Sequence, residues 1–397
     1  MLRIALKMLM GDRAKYTGLL FGISFTSFLV AFAGSYFAGF MTRGFALISD
    51  NPGISVWVMD PAVDSTEHLT NMPSSVLDRV RSIEGVQSAV PLAVGSAQVH
   101  FPNGEFHSFQ VIGVDDATLS GAPALRNKAS AEVLRTPDAA VVGSGGTSGK
   151  LQTPSLAADQ WPRSPRLDVP TRRLAVGDIV LVNDKRVRIA GLAAALPRYP
   201  PRPLLYTTYS NAARIMPPER HLLTFVLVRA QRGVAPEALA RRIAARTGLK
   251  ARTTEEFKDD TVRWLLVNSE DVGDIASMIS IAMLVGLGVT GVMLYMFTED
   301  NLKQYAVLKT MGASTRLLLT MILAQAGLCA VLGTGLGLGL CALVGQLATS
   351  EADYPFRMMW FTPVLGGATV VVVSLVAAAV SARPVIRLQP AIVFAGR

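Results

Sequence analysis

Charged side chains are absent from four long stretches of this chain. An α-helix needs about 20 consecutive apolar residues to cross the hydrocarbon core of a bilayer, and each stretch is long enough to do so. The sequence therefore predicts four transmembrane helices, with a large domain at residues 43–274 between the first and the second. The predicted spans are residues 17–42, 275–298, 317–350 and 358–382.

Lysine and arginine are concentrated on one side of these spans. They are frequent in residues 1–16, 299–316 and 383–397, whereas the short loop 351–357 contains a single arginine. Because basic residues favour the cytoplasmic side, we expect residues 1–16, the 299–316 loop and a tail at 383–397 to be cytoplasmic. Domain 43–274 and the short loop are then extracytoplasmic. This arrangement predicts a multi-pass membrane protein with both termini in the cytoplasm.

A cleavable signal peptide is the alternative for the first span. Ala31-Phe32-Ala33 has the small residues of a cleavage site. However, the charged segment before the apolar run is long for a signal peptide, and the run continues past this site to Met41. We therefore predict that the first span is retained as a membrane helix.

The charge distribution excludes two function classes. The formal net charge of +9 lies largely at the chain ends, where it follows from membrane topology and contact with anionic lipids. We therefore predict membrane lipids as partners and no nucleic acid. The predicted spans contain no ionisable residue of the kind that an ion-coupled carrier uses.

Two motifs resemble ligand sites without meeting their requirements. The glycine-rich segment 143–150 has neither the spacing nor the Ser or Thr of a phosphate-binding loop. A turn at Asn103-Gly104 would pair His100 with His107 across a hairpin, but two imidazoles alone do not make the four-ligand site that zinc prefers. The sequence therefore predicts no catalytic residue, metal site or cofactor.

Two parts of the 43–274 domain share one pattern, in which a strand, an amphipathic helix, a glycine stop and a second strand follow each other. Two such βαβ units commonly share one sheet. We therefore expect an α+β membrane protein whose domain has a βαβ porter-like lobe at residues 50–118 and 205–258. A β-rich lobe is inserted at residues 119–204, and a stalk helix at 259–274 leads into the second span.

The cytoplasmic loop 299–316 carries the most distinctive motif. Its apolar residues surround a short helix, Gly312 is placed to end that helix, and Ser314 is placed to begin the next one. An apolar helix in the cytoplasm needs a partner surface; the alternative is an interfacial helix that lies on lipid.

The chain resembles a known family at this loop. The segment Tyr305–Ser314, YAVLKTMGAS, is similar to the loop of FtsX-like, MacB-type (type VII) permeases of ABC transporters, as are the four spans and the large insert. The opening segment Met1–Tyr16 is similar to the amphipathic entry helix of the DevC branch, which implies a cytoplasmic amphipathic entry helix at 1–16. Gln304 stands where the family usually has glutamate.

The resemblance implies an exporter subunit of the bacterial inner membrane, with a large periplasmic domain, that is not itself an enzyme. A separate cytoplasmic ABC ATPase would hydrolyse ATP and move the periplasmic domain, and the expected partners are this ATPase, a second permease copy and a membrane-fusion (HlyD-like) adaptor. The two alternatives are an FtsX-like signalling permease that regulates a cell-wall hydrolase, and a membrane-anchored sensor or scaffold. The substrate site stays unassigned. The residues expected to couple to the ATPase are Leu302, Gln304, Tyr305, Val307, Leu308, Lys309, Met311 and Gly312.

Overall fold

A computed structural model describes residues 13–126, 130–155, 167–217 and 222–386. Most of the predicted entry helix and of the cytoplasmic tail therefore lies outside the described residues. The helices are α1 (Arg13–Gly44), α2 (Ala46–Ser49), α3 (Ser75–Arg81), α4 (Tyr209–Ile215), α5 (Pro236–Thr247), α6 (Thr254–Asn268), α7 (Glu270–Asp300), α8 (Leu302–Thr310), α9 (Thr315–Ala352), α10 (Phe361–Ser381) and α11 (Arg383–Ile386). The strands are β1 (Val56–Met59), β2 (Val86–His100), β3 (Phe106–Val114), β4 (Ala139–Gly143), β5 (Gln152–Pro154), β6 (Thr171–Arg173), β7 (Ile179–Val182), β8 (Lys185–Leu192), β9 (Leu204–Thr208), β10 (Phe225–Ala230) and β11 (Lys250–Thr253).

The chain divides into two compact units. The membrane unit comprises the chain up to Phe40 and from Glu270 onward, and the soluble unit comprises Met41–Ser269. Four helices of the described chain, α1, α7, α9 and α10, are long and apolar enough to cross a bilayer. The predicted fold class is confirmed, since four such helices carry a large mixed α/β domain between the first and the second.

The soluble unit is built on one nine-stranded sheet in the order β11-β1-β10-β2-β3-β9-β4-β8-β7. At one end, β1 and β2 flank β10, and β10 and β11 flank β1. Helices α3 and α5 join the two pairs of parallel strands, so two βαβ units interleave in one sheet as the sequence pattern predicts. Their inward residues, such as Val80 and Ile243, form a core with the buried face of β1 and β10.

The other end of the sheet closes on itself because β7 also pairs with β2. The closed part, which we call the barrel, contains β2, β3, β9, β4, β8 and β7. It encloses an apolar core that includes Phe109, Val182 and Ile189. Strand β2 serves both parts: its first residues pair with β10 up to Leu92, and its later residues pair with β3 from Ala93 onward.

The boundaries between the two lobes differ from the prediction. Barrel pairing begins at Ala93 and includes β3 and β9, whereas the sequence assigned residues 50–118 and 205–258 to the porter-like lobe. The reason is that one strand of 15 residues crosses from the open sheet to the barrel without a change in composition.

The predicted stalk helix at 259–274 is also interrupted. Helix α6 begins at a capping box, in which Thr253 and Glu256 satisfy each other's main-chain N–H groups, and it ends at Asn268. Ser269 has an extended backbone with φ −92° and ψ 126°, so α7 begins as a separate helix at Glu270. The side-chain amide of Asn268 donates to the carbonyl of Trp264 and thereby occupies an acceptor at the helix end.

Alternate glycines of α9 pack closely against α1. A Cβ atom on Gly337 would lie 2.3 Å from the carbonyl oxygen of Ser24, and a Cβ on Gly333 would lie 2.8 Å from a methyl carbon of Ile23. By contrast, a Cβ on Gly335 or Gly339 would meet no described atom within 4 Å. The close approach of α1 and α9 therefore depends on Gly333 and Gly337, which lie on the same side of α9.

We expect Gly337→Ala to destabilise the membrane unit by about 1–3 kcal/mol, because the added methyl group meets main-chain atoms that cannot rotate away. Gly339→Ala is the matched control and should be neutral or slightly stabilising, since alanine is the better helix former. Thermal stability of the detergent-solubilised protein, followed by size-exclusion chromatography, compares the two. Equal stability of both variants would contradict the assigned packing.

Candidate coupling helix

Helix α8 is a short helix between two predicted membrane helices. It ends at Thr310 with Met311 as its C-cap, and Gly312 follows with a positive φ of 94°, a conformation that glycine adopts without steric cost. The hydroxyl of Ser314 then accepts a hydrogen bond from the main-chain N–H of Leu317 and caps α9. The sequence signals at positions 312 and 314 thus define a separate helix with fixed ends.

One face of α8 is attached to the membrane unit. Tyr305 and Ala306 are fully buried, and the Tyr305 hydroxyl donates to Oε1 of Gln325 in α9 over 3.3 Å. Leu302 and Leu308 are partly buried against the same apolar core. The helix is therefore held in place by its own side chains.

This burial changes the role of three predicted coupling residues. The apolar run surrounds the helix, and the sequence does not show which side of it faces the bundle. In the structure, Leu302, Tyr305 and Leu308 pack on that bundle, so Tyr305 is not available to an external partner. We therefore remove Tyr305 from the candidate contact surface and treat Leu302 and Leu308 as support for it.

The opposite face of α8 is exposed. Val307 is 43% exposed and Met311 is 78% exposed, and Gln304 is exposed three residues before Val307. Residues spaced by three and four lie on one side of a helix, so these three form a continuous outer face, which we call the coupling face. Lys303 is also exposed, whereas Lys309 is half-buried and Gly312 follows the helix.

The two histidines of the β2–β3 hairpin are not paired with each other. His100 lies opposite Phe106, and His107 lies opposite Val99, so the register differs by one residue from the one that the Asn103-Gly104 turn predicts. A shift of one residue places side chains on opposite faces of the sheet. Among the described residues, no group of three His, Cys, Asp or Glu side chains could hold a metal ion.

The soluble unit contains a buried ionic cluster that could not be predicted from the sequence. Nη1 of Arg198 lies 2.7 Å from Oδ2 of Asp50, and its Nη2 donates to the hydroxyl of Tyr206 over 2.9 Å. Arg198 is only 3% exposed. Burial raises the pKa of Asp50, which the arginine opposes, and burial raises the pKa of Tyr206 to about 12. Arginine within the proline-rich segment 197–203 would ordinarily indicate an exposed loop.

A comparison with protein families finds a match in the membrane unit. Residues 276–390 match the family described as FtsX-like permease C-terminal. This part of the chain, from the second predicted membrane helix onward, is similar to the FtsX-like permease family. This permease family consists generally of membrane subunits rather than enzymes. The DevC relationship stays a prediction.

Three solved structures of transporter or permease domains are similar to part of this chain. The extracellular domain of the noncanonic ABC-type transporter YknZ from Gram-positive bacteria has 12% identity and a TM-score of 0.32, and the match covers 50% of this chain and 98% of that one. The periplasmic region of MacB from Actinobacillus actinomycetemcomitans has 14% identity and a TM-score of 0.35, with 57% and 96% covered. A permease-protein domain from Porphyromonas gingivalis has 15% identity and a TM-score of 0.29, with 51% and 89% covered. No match was found among curated protein sequences.

Proposed function

We propose that the chain is the membrane subunit of an ABC exporter and that a separate cytoplasmic ATPase binds the coupling face of α8. The observation that carries this proposal is the exposure of Val307 and Met311 on a helix whose other face is anchored through Tyr305. Exposed apolar side chains on a fixed helix favour insertion into a groove of a partner protein. ATP hydrolysis then takes place in the partner, and this chain transmits the resulting movement.

The chain connects its two units through α1 and through the α6–α7 segment. We propose that two copies of the permease form a homodimer, that these connections carry movement to the periplasmic domain, and that a membrane-fusion adaptor receives the cargo. Co-expression with the ATPase tests the core of this proposal. We expect a stable complex, ATP hydrolysis that the permease stimulates, and ATP-dependent export of material that co-purifies with the complex. A chain that neither binds nor stimulates an ABC ATPase would contradict it.

Reporter fusions should show that the coupling face and the soluble unit lie on opposite sides of the membrane. A reporter inserted after Gly312 should be active only in the cytoplasm, because the basic residues of the 299–316 loop favour that side. A reporter inserted at the Asn183–Asp184 turn, where both residues have positive φ, should be active only in the periplasm. A cytoplasmic signal from position 183 would reverse the proposed orientation.

Spin labels at Val267 should report movement of the domain in the dimer. Val267 is 78% exposed near the end of α6, so a label there leaves the packing intact. Gly44 is unsuitable as a label position, because a Cβ atom there would lie 2.2 Å from a methyl carbon of Leu265. One label per copy should give a narrow distance distribution in electron double resonance, and ATP should shift it. A broad distribution that ignores nucleotide would indicate a flexible tether instead of a coupled stalk.

A further inference from the structure

An apolar groove lies between α7 and α10 on the outside of the membrane unit. It has a volume of about 780 Å³, which is within the range of small-molecule sites. Its walls are exposed apolar side chains, namely Leu284, Leu287 and Val292 of α7 and Val376 and Val380 of α10. The groove therefore opens toward the surroundings of the membrane unit and not into its core.

Small residues give this groove its depth. Gly288 and Gly291 line it on α7, and Ala377 lines it on α10. The Ser381 hydroxyl donates to the carbonyl of Gly291 over 3.0 Å and thereby joins the two helices at this point. A Cβ atom on Gly288 or Gly291 would meet no described atom within 4 Å. Both glycines therefore border space that the packing of the described chain leaves open.

The groove has the length of one leaflet of a bilayer. Along α7 it extends from Leu284, near the middle of the predicted span 275–298, to Tyr295, close to the end of the helix at Asp300. This stretch is about 16 Å long at ~1.5 Å per residue, and half of the hydrocarbon core is about 15 Å thick. A single acyl chain in the groove would therefore reach from the membrane surface to the bilayer centre.

A cation lies at the end of the groove that faces the cytoplasm in the proposed orientation. Arg383 lines this end and is exposed, and it is the one charged residue in the lining as far as the chain is described. Tyr295 lines the same end, but its hydroxyl already donates to Glu299. Arginine near a helix end extends toward the headgroup region, and its planar group of donors matches a phosphate. This end of the groove therefore favours a ligand with negative charge.

We propose that the groove binds an anionic phospholipid of the cytoplasmic leaflet, with one acyl chain between α7 and α10 and its phosphate at Arg383. Basic pockets between membrane helices on the cytoplasmic side are typical of such lipid sites. A second copy of the chain fits less well, because the basic segments on this side would bring like charge to Arg383. The inference uses the orientation that the reporter fusions test, but it does not depend on the ATPase or on the cargo.

Native mass spectrometry of the full-length protein in detergent tests this site. The probes are dioleoyl phosphatidylglycerol and dioleoyl phosphatidylcholine, which share their acyl chains and differ in net charge. We expect one saturable phosphatidylglycerol site per chain. Phosphatidylcholine should bind about fivefold more weakly, because its own cation competes with Arg383 for the phosphate. Equal binding of the two lipids would indicate an ordinary lipid-facing surface and would overturn the proposal.

Two pairs of variants locate the lipid in the groove. Gly288→Leu fills the groove and should abolish the saturable site. Gly335→Leu is its control on α9, where a Cβ likewise meets no described atom within 4 Å, and it should leave binding unchanged. Arg383→Gln should remove the preference for phosphatidylglycerol, whereas Arg316→Gln, at an exposed arginine in the first turn of α9, should retain it. The arginine pair decides the test if Gly288→Leu is unstable, and an unchanged preference in Arg383→Gln would overturn the assignment.

The same spectra report the oligomeric state and so identify a different occupant. A second copy in the groove would give a dimer that Gly288→Leu converts to monomers while lipid binding stays unchanged, and this result would overturn the lipid site. A loss of the phosphatidylglycerol site in Gly288→Leu without a change of oligomeric state would support it.

Discussion

The double variant Val307→Asp/Met311→Asp is expected to abolish both co-purification of the ATPase and stimulation of ATP hydrolysis by the permease. Both side chains are exposed on the coupling face, so the changes leave the core of the membrane unit intact. In the complex, each aspartate would be buried without a partner, which costs about 3–5 kcal/mol. Since about 1.4 kcal/mol corresponds to a tenfold loss of affinity, even one such charge would remove a transient complex.

Leu308 is also one of the predicted coupling residues, but the structure argues against it as the position for this experiment. Leu308 is partly buried against the membrane unit, so a charge there would disturb the support of α8 as well as the contact. Val176→Asp is the matched control for the variants at 307 and 311. Val176 is 54% exposed in the soluble unit, and the change from valine to aspartate is the same as at position 307. A double variant at 307 and 311 that still binds and stimulates the ATPase would show that α8 lies on lipid.

Arg198→Ala is expected to lower the stability of the soluble unit by about 3–5 kcal/mol, because Asp50 would remain as a buried charge without its partner. The hydroxyl of Tyr206 would also lose its donor. Hydrogen exchange at the β9 amides of the full-length protein measures this loss as a lower free energy of opening.

An exposed arginine provides the control for this variant. Arg214 pairs with Asp138 at 2.5 Å, and both side chains are more than 40% exposed, so Arg214→Ala should cost about 0–1 kcal/mol. Adding Asp50→Asn to Arg198→Ala should recover part of the lost stability, because it removes the stranded charge. If Arg198→Ala costs no more than Arg214→Ala, the buried pair contributes little.

Local patterns in the sequence identified several elements correctly because their causes are local. Charge-free stretches predict the four membrane helices, and Pro236 with Gly248 marks the start and the end of α5, where the structure has proline in the first turn and a left-handed glycine. The same local reasoning recognises α8 from Gly312 and Ser314.

Features that depend on distant pairing could not be predicted. The contact of Val99 with Val182, which closes the barrel, joins strands far apart in the chain, and neither strand has a residue that specifies the other. The orientation of Tyr305 depends on Gln325 in the next helix. Arg198 is buried because Asp50, far away in sequence, supplies its counter-charge.

The shared strand β2 makes the barrel hard to exchange between proteins. A graft that replaces residues 101–203 would keep the second half of β2, since this half precedes the cut, and would remove its partners β3 and β7. The remaining strand would then expose a row of main-chain groups, which invites association with other chains. Chimeras of this domain should therefore exchange residues 93–208 as one segment, so that every strand of the barrel keeps its hydrogen-bonded neighbours.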